Sequence, residues 1–145
     1  MRRKVKYGLF LLWLVWLLQP LPAQNLIVQI KGIRSAEGVI IVSLFANAQE
    51  FADESPRYEK VVPKTGMRAG QLMVVFQNIP PGSYGMAVLD DTNENGKMDY
   101  KILKPTEGYG FSDFYPRKLQ KPTFEKFQFS LTEEDKAICV SLLYW

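Results

Sequence analysis

The chain has 145 residues, with 18 Lys and Arg against 15 Asp and Glu, no histidine and one cysteine, Cys139. The absence of histidine excludes Ser-His-Asp and Cys-His catalysis and any zinc site built on imidazole ligands. A lone cysteine also excludes a disulfide within the chain.

The N-terminus predicts a secretory signal peptide over residues 1–23. Four basic residues between positions 2 and 6 precede the apolar run Leu9–Leu18, and Gln19–Ala23 then breaks the helix before a cleavage point after Ala23. The alternative is an uncleaved membrane anchor, but the apolar run is much shorter than the roughly 20 residues that span a bilayer. We therefore expect an exported protein, either periplasmic or secreted to the cell surface, with no membrane span after cleavage.

Cleavage would also change the charge of the protein. It would remove four of the 18 basic residues and none of the 15 acidic ones, which leaves a net charge of −1. No basic stripe with interleaved aromatic residues is found after residue 23, so nucleic-acid binding is not expected. Residues 24–145 are long enough for one domain with a sizeable core, and we predict a single domain over this range.

Short apolar or alternating runs separated by turn residues predict strands along residues 24–145. The predicted strands are residues 26–30, 39–45, 58–62, 71–76, 83–89, 124–129 and 137–144. A short helix between residues 46 and 60 is also compatible with the sequence. About seven strands with few helix signals predict an all-β fold, an antiparallel two-sheet β-sandwich.

One segment, D-T-N-E-N-G-K-M-D over residues 91–99, carries oxygen-bearing side chains at alternate positions around Gly96. This spacing is typical of calcium loops, although the position of the final EF-hand glutamate is taken by Ile102. The predicted ligands are the side chains of Asp91, Asn93, Asn95, Asp99 and Glu107 and the carbonyl of Lys97. We expect weak calcium binding, with a dissociation constant of about 10⁻⁴ to 10⁻³ M. The alternative is that Asp and Asn only cap turns through hydrogen bonds to the backbone.

Three motifs in order resemble a known bacterial group. They are F-x-N-I-P-P-G-S-Y from Phe76, D-x-N-x-N-G-x-x-D from Asp91 and P-x-E-G-Y-G-F-S from Pro105. The chain resembles the exported family catalogued as domain of unknown function number 2141. The resemblance implies a small exported β-sandwich, similar to transthyretin-like or immunoglobulin-like domains, and brings no established activity. Asp90 stands where the family is expected to have histidine, so a histidine-based role does not carry over.

A second candidate site is the aromatic pair Tyr109 and Phe111, which could present flat faces to a sugar ring or another planar ligand. The alternative is that both rings pack on the sheet and the glycines beside them permit a tight path. Glu107, two residues earlier, can also reach the Asp91 loop.

These features favour a non-catalytic binding or structural module with no catalytic residues. The expected partners are a glycan, a peptide or a small apolar ligand, and the oligomeric state is open. One alternative is a glycan hydrolase that uses Glu107 with Asp91 or Asp99 as an acid/base pair. Another is a transthyretin-like carrier that assembles through strand edges, with the tail Leu142–Trp145 as a contact strip.

Overall fold

The computed structural model describes residues 24–145 and confirms the all-β class. The predicted signal peptide lies outside the described residues. Besides two single 3-10 turns at Lys64–Gly66 and Phe124–Lys126, the described chain contains ten strands and one α-helix. These are β1 Gln24–Lys31, β2 Val39–Phe45, α1 Ala48–Ala52, β3 Tyr58–Pro63, β4 Gln71–Ile79, β5 Gly82–Asp91, β6 Tyr100–Lys101, β7 Lys104–Pro105, β8 Gly108–Phe111, β9 Gln128–Leu131 and β10 Lys136–Ser141.

The strands form two main sheets. Sheet 1 has the order β10-β1-β4, and sheet 2 has the order β3-β2-β5-β8, with β9 also paired to β5. Strands β6 and β7 form a separate small hairpin. Most pairs are antiparallel, but β1 and β10 are parallel, a pairing that the sequence prediction did not include. Strand β10 reaches sheet 1 from β9 in sheet 2 and not through a hairpin, so no tight turn forces the antiparallel direction.

Both sheets contribute side chains to one hydrophobic core. In β1 the residues alternate between buried and half-buried, and Leu26, Val28 and Ile30 lie in the core. From sheet 2, Val42 and Val88 join them in the same cluster. Each buried aliphatic side chain of this size stabilises the fold by about 1.5–3 kcal/mol relative to exposure.

Sheet 2 has a second, aromatic cluster on its opposite face. Phe45 and Phe111 of the sheet pack with Phe51 of α1 and with Phe124 and Phe127. The prediction of a strand over residues 124–129 is therefore wrong at its start: residues 124–126 form a 3-10 turn, and β9 begins at Gln128. The turn places the side chains of Phe124 and Phe127 in the aromatic cluster, while Phe129 in β9 belongs to the core between the sheets.

Two other differences concern helices and connections. The helix considered between residues 46 and 60 exists as α1, which begins after the N-cap Asn47 and buries Phe51. Strands β6, β7 and β8 lie between residues 100 and 111, where no strand was predicted. Among residues 24–145, α1 is far too short to cross a bilayer, and no other helix has the length and hydropathy to do so.

Candidate functional site

The Asp91 loop connects two neighbouring antiparallel strands of sheet 2, β5 and β8. Its base lies against the turn between β1 and β2. A side chain at Gly38 would bring a Cβ within 2.1 Å of the Asp91 carbonyl oxygen, and Gly38 has a φ of +74°. Only glycine fits both the contact and the backbone conformation, so this turn fixes where the loop starts.

Asp91 is the centre around which the first half of the loop is wrapped. Its carboxylate is buried, with 1% of the residue exposed, and accepts hydrogen bonds from the backbone N–H groups of Asn95 (3.1 Å) and Gly96 (2.8 Å). Asn93 Oδ1 accepts from the Asn95 N–H at 3.2 Å, and Asn95 Oδ1 accepts from the Lys97 N–H at 3.1 Å. These are the local side-chain-to-backbone bonds that turn chemistry predicts.

Asp99 closes the second half of the loop. Its Oδ2 accepts one hydrogen bond from the Asn93 side-chain amide at 2.7 Å and another from the Asn95 amide at 2.8 Å. The side chains of Asn93, Asn95 and Asp99 are therefore grouped, with the amide N–H groups of both asparagines facing the Asp99 carboxylate. Asp91 faces the backbone of the same turn.

Glu107 reaches the loop, as the sequence suggested it could. It is buried, with 4% exposed, and lies immediately before β8. Its Oε1 accepts from the Thr92 N–H at 3.1 Å, and its Oε2 accepts from the Asp99 N–H at 3.3 Å. The Glu107 carboxylate thus connects Thr92 and Asp99 at the base of the loop. We call this base the neck of the loop.

The loop offers few carboxylate oxygens to a cation. Within the part of the chain that the structure describes, no three His, Cys, Asp or Glu side chains are grouped to hold a metal ion. A cation in this loop would therefore need the side-chain oxygens of the two asparagines as ligands in addition to carboxylates. The two carboxylate oxygens of Asp91 and those of Glu107 already accept backbone hydrogen bonds.

Beside the loop, the outer face of sheet 2 forms the floor of a groove with a volume of about 320 Å³. Strand pairing sets two rows of side chains across it. Ile41, Leu89 and Tyr109 are paired in one row, and Ser43, Ala87 and Phe111 in the next. Alternate residues of a strand point to opposite faces, so the residues between these rows, such as Val42 and Val88, enter the core instead.

One wall of the groove is formed by the same segment that forms the loop and the β6–β7 hairpin. Lys97, Met98, Tyr100 and Leu103 line this side. The opposite side is lined by Phe51 of α1 and by residues 119–121. The two predicted ligand contacts differ in exposure: Tyr109 is half-buried, whereas Phe111 is 7% exposed and belongs to the aromatic cluster.

The glycines beside these rings allow a close approach of the C-terminal segment. A Cβ at Gly110 would lie 2.6 Å from the Ser141 carbonyl oxygen, and one at Gly108 would lie 2.3 Å from the Tyr144 ring. The Tyr109 backbone exchanges two hydrogen bonds with Leu143. The tail proposed as an oligomer contact is therefore engaged within the chain, with Leu142 buried and Tyr144 packed on the core.

A buried ion pair beside the loop was missed by the sequence prediction. Asp90 is fully buried, its Oδ1 lies 2.5 Å from Lys64 Nζ, and its Oδ2 accepts a hydrogen bond from the Tyr144 hydroxyl at 2.5 Å. Burial, together with this hydrogen bond, raises the pKa of Tyr144. Nothing in the local sequence of Lys64 signals this role, because its partners lie far away in the chain.

A protein-family model matches residues 28–139, and the family is described as an uncharacterized protein conserved in bacteria, DUF2141. The chain belongs to this family. The resemblance stated from the three motifs is thereby confirmed. No curated protein and no solved structure matches the chain at a significant level.

Proposed function

We propose that the protein is an exported, non-catalytic β-sandwich module that binds a ligand in the groove on the outer face of sheet 2. The observation that carries this proposal is the groove itself. Its volume of about 320 Å³ falls at the lower end of the range for small-molecule sites, and its floor is apolar and aromatic. Tyr109 and Phe111, the aromatic pair singled out in the sequence, contribute to that floor.

The positions of Glu107, Asp91 and Asp99 argue against their use as an acid/base pair. Glu107 and Asp91 are buried, and their oxygens accept hydrogen bonds from the backbone of the loop. Neither residue, nor Asp99, lines the groove. A hydrolase that used these groups as an acid and a base would need them to face a substrate, so this alternative is less favoured.

Ligand binding is tested by titrating the protein with a neutral fluorescent apolar probe, N-phenyl-1-naphthylamine, and then with glycan, peptide and apolar competitors. We expect saturable binding that Leu103→Ser weakens, because Leu103 is 90% exposed and lines the groove. Ile102→Ser is the matched control, since Ile102 is equally exposed but does not line the groove. No saturable binding of the probe or of any competitor would overturn the proposal.

We also propose that the Asp91 loop binds calcium weakly. The proximity of the Asn93 and Asn95 side-chain amides to Asp99 Oδ2 supports this, since a 180° flip of each amide would present its oxygen to an ion bound at Asp99. The candidate ligands are the side chains of these three residues and of Asp91 and the Lys97 carbonyl, while Glu107 would hold the loop neck. At millimolar calcium and a dissociation constant of about 0.1 mM, binding would stabilise the fold by roughly 1.4 kcal/mol.

Calcium binding is tested by isothermal calorimetry and by melting curves in calcium and in chelator. We expect heat of binding and a higher melting temperature in calcium, both reduced by Asp99→Asn. Glu133→Gln, which removes a charge on an exposed turn away from the loop, is the control. The absence of both heat and a melting shift would leave turn chemistry as the whole role of the loop.

Export is part of the proposal and has its own test. Expression in a bacterial host followed by fractionation and N-terminal sequencing should find a chain that begins at Gln24 outside the cytoplasm. Retention of residues 1–23 on the exported protein would favour the membrane-anchor alternative.

A further inference from the structure

A second cavity adjoins the groove and has a different chemical character. It has a volume of about 370 Å³ and is formed by the segment between Phe114 and Lys126. All four charged residues in its lining are basic: Arg117, Lys118, Lys121 and Lys126. No carboxylate lines it.

The positive charge of this basic cavity is largely uncompensated. Within residues 24–145, the ion pairs join Arg57 to Glu50, Lys64 to Asp90 and Lys121 to Glu54. Arg117, Lys118 and Lys126 therefore have no carboxylate partner among the described residues. The rest of residues 24–145 carries 10 basic against 15 acidic residues, so the cavity is a local basic patch on a chain of net negative charge. An anion would be attracted to this patch.

The groove and the basic cavity are adjacent and share part of their lining. Gln120 and Lys121 line both. Leu119, which is 44% exposed, lines the groove immediately before them. Leu89, Met98 and Leu103 also line the groove. Its lining further includes Glu54, Glu59 and Lys97, and Glu54 is paired with Lys121. A ligand that occupied both cavities would contact the apolar residues of the groove and the cations of the basic cavity.

We propose that the groove and the basic cavity together bind a single-chain anionic amphiphile, with its carboxylate or phosphate head group in the basic cavity and its acyl chain in the groove. The inference depends on the proposed function of the groove as a binding site. Apolar burial supplies affinity that grows with chain length, and the cations supply the preference for a negative head group. An acidic polysaccharide would use the cations but would gain nothing from the apolar floor.

The test compares ligands that share one chain and differ in head group. Dodecanoate, dodecyl phosphate and dodecyltrimethylammonium, each below its micelle concentration, and dodecanol, below its solubility limit, compete with N-phenyl-1-naphthylamine for the purified protein. We expect the two anions to bind about tenfold more tightly than dodecanol, and the cation to bind most weakly. Inorganic phosphate and acetate are expected to leave the probe bound, because they lack the chain.

Variants separate the two halves of the site. Lys118→Glu combined with Lys126→Glu should abolish the preference for the anions while leaving dodecanol binding unchanged. The pair Lys31→Glu and Arg68→Glu makes the same change of charge away from both cavities and should keep the preference. Melting curves show whether each double variant is folded, and Lys118→Gln alone, which should lower the preference severalfold, provides a milder change.

The outcomes distinguish this inference from the function on which it rests. Equal affinity for dodecanoate and dodecanol would overturn the amphiphile while leaving an apolar groove. Competition by inorganic phosphate as strong as by dodecyl phosphate, or by polygalacturonate as strong as by dodecanoate, would overturn the role of the acyl chain. Failure of the probe itself to bind would overturn the proposed function as well.

Discussion

Gly108 and Gly110 let the C-terminal segment lie directly against β8. Of the two glycines, Gly108 leaves less room for a side chain, because the Tyr144 ring occupies the space that a Cβ would need. Tyr144 in turn donates a hydrogen bond to Asp90. The glycines of the G-Y-G motif are thus required by packing, while Tyr109 between them faces the groove.

Gly108→Ala should destabilise the protein by about 1–3 kcal/mol, because the new methyl group must displace the Tyr144 ring. The measurement is urea unfolding, with the midpoint lowered and the slope unchanged. Gly66→Ala is the control, since a Cβ there would meet only Leu72 Cδ1 at 3.7 Å. A midpoint equal to that of the wild type would contradict the close contact.

Tyr144 should make the stability depend on pH in the alkaline range. Burial and the hydrogen bond to Asp90 raise its pKa in the folded state. The unfolded chain therefore loses this proton first, so the contribution is complete below about pH 10 and is lost as the pH rises further. Urea unfolding above about pH 10 should show a shallower loss of stability in Tyr144→Phe than in the wild type. Tyr115→Phe, which removes an exposed hydroxyl, is the control, and equal slopes for Tyr144→Phe and wild type would refute the expectation.

At the scale of elements, the connection from β5 to β8 is an ordered loop held by its own side chains. Asp91 organises the first turn, and Asp99 gathers the two asparagine amides. Glu107 then bonds to the backbone at both ends. Because the same segment forms a wall of the groove, the order of the loop determines the shape of that wall.

Glu107→Gln should loosen the neck of the loop. Each carboxylate oxygen of Glu107 accepts a hydrogen bond from a backbone N–H group, and the amide nitrogen that replaces one of them cannot accept it. We expect a loss of about 1–3 kcal/mol in stability and faster hydrogen exchange at the Thr92 and Asp99 amides. Hydrogen-exchange mass spectrometry over residues 92–107 measures this, and Glu133→Gln provides the exposed control. Unchanged exchange in this segment would show that the loop is held without Glu107.

At the scale of the whole molecule, Lys64 links segments that are far apart in the chain. Its ammonium group pairs with Asp90 of β5 and donates hydrogen bonds to the carbonyl groups of Ser35, at 3.1 Å, and Glu37. Asp90 extends the network to Tyr144 near the C-terminus. The turn between β1 and β2, sheet 2 and the tail therefore meet at one buried ion pair.

Lys64→Met should cost about 3–5 kcal/mol, because it leaves the Asp90 carboxylate buried without its counter-charge. Adding Asp90→Asn should recover part of the loss, since the amide carries no charge. The comparison of wild type, the two single variants and the double variant by urea unfolding gives the coupling between the residues. Additive losses in the double variant would argue against a direct interaction.

Local patterns in the sequence were sufficient for the all-β class and for most strands. In β1, buried and half-buried residues alternate because one face of the strand packs on the core; β2 is apolar except at Ser43 because both of its faces are covered. Both patterns can be recognised within a few neighbouring residues. The spacing of Asp91, Asn93, Asn95 and Gly96 predicted a calcium loop, with turn capping as the alternative. The capping hydrogen bonds are present, and they could be anticipated because they connect neighbouring residues. The strand assignment failed at Phe124, where the turn conformation depends on a cluster formed with distant Phe51 and Phe111.

The sequence by itself determined the absence of histidine chemistry, the fold class and the position of the Asp91 loop. Only the tertiary structure decided that Glu107 closes this loop, that Lys64 neutralises Asp90 and that the apolar groove meets the basic cavity. Glu107 lies 15 positions from Thr92, and Lys64 lies 26 positions from Asp90. The groove and the basic cavity depend on how segments distant in the chain pack together. No local spacing encodes them, because long-range packing sets which side chains meet.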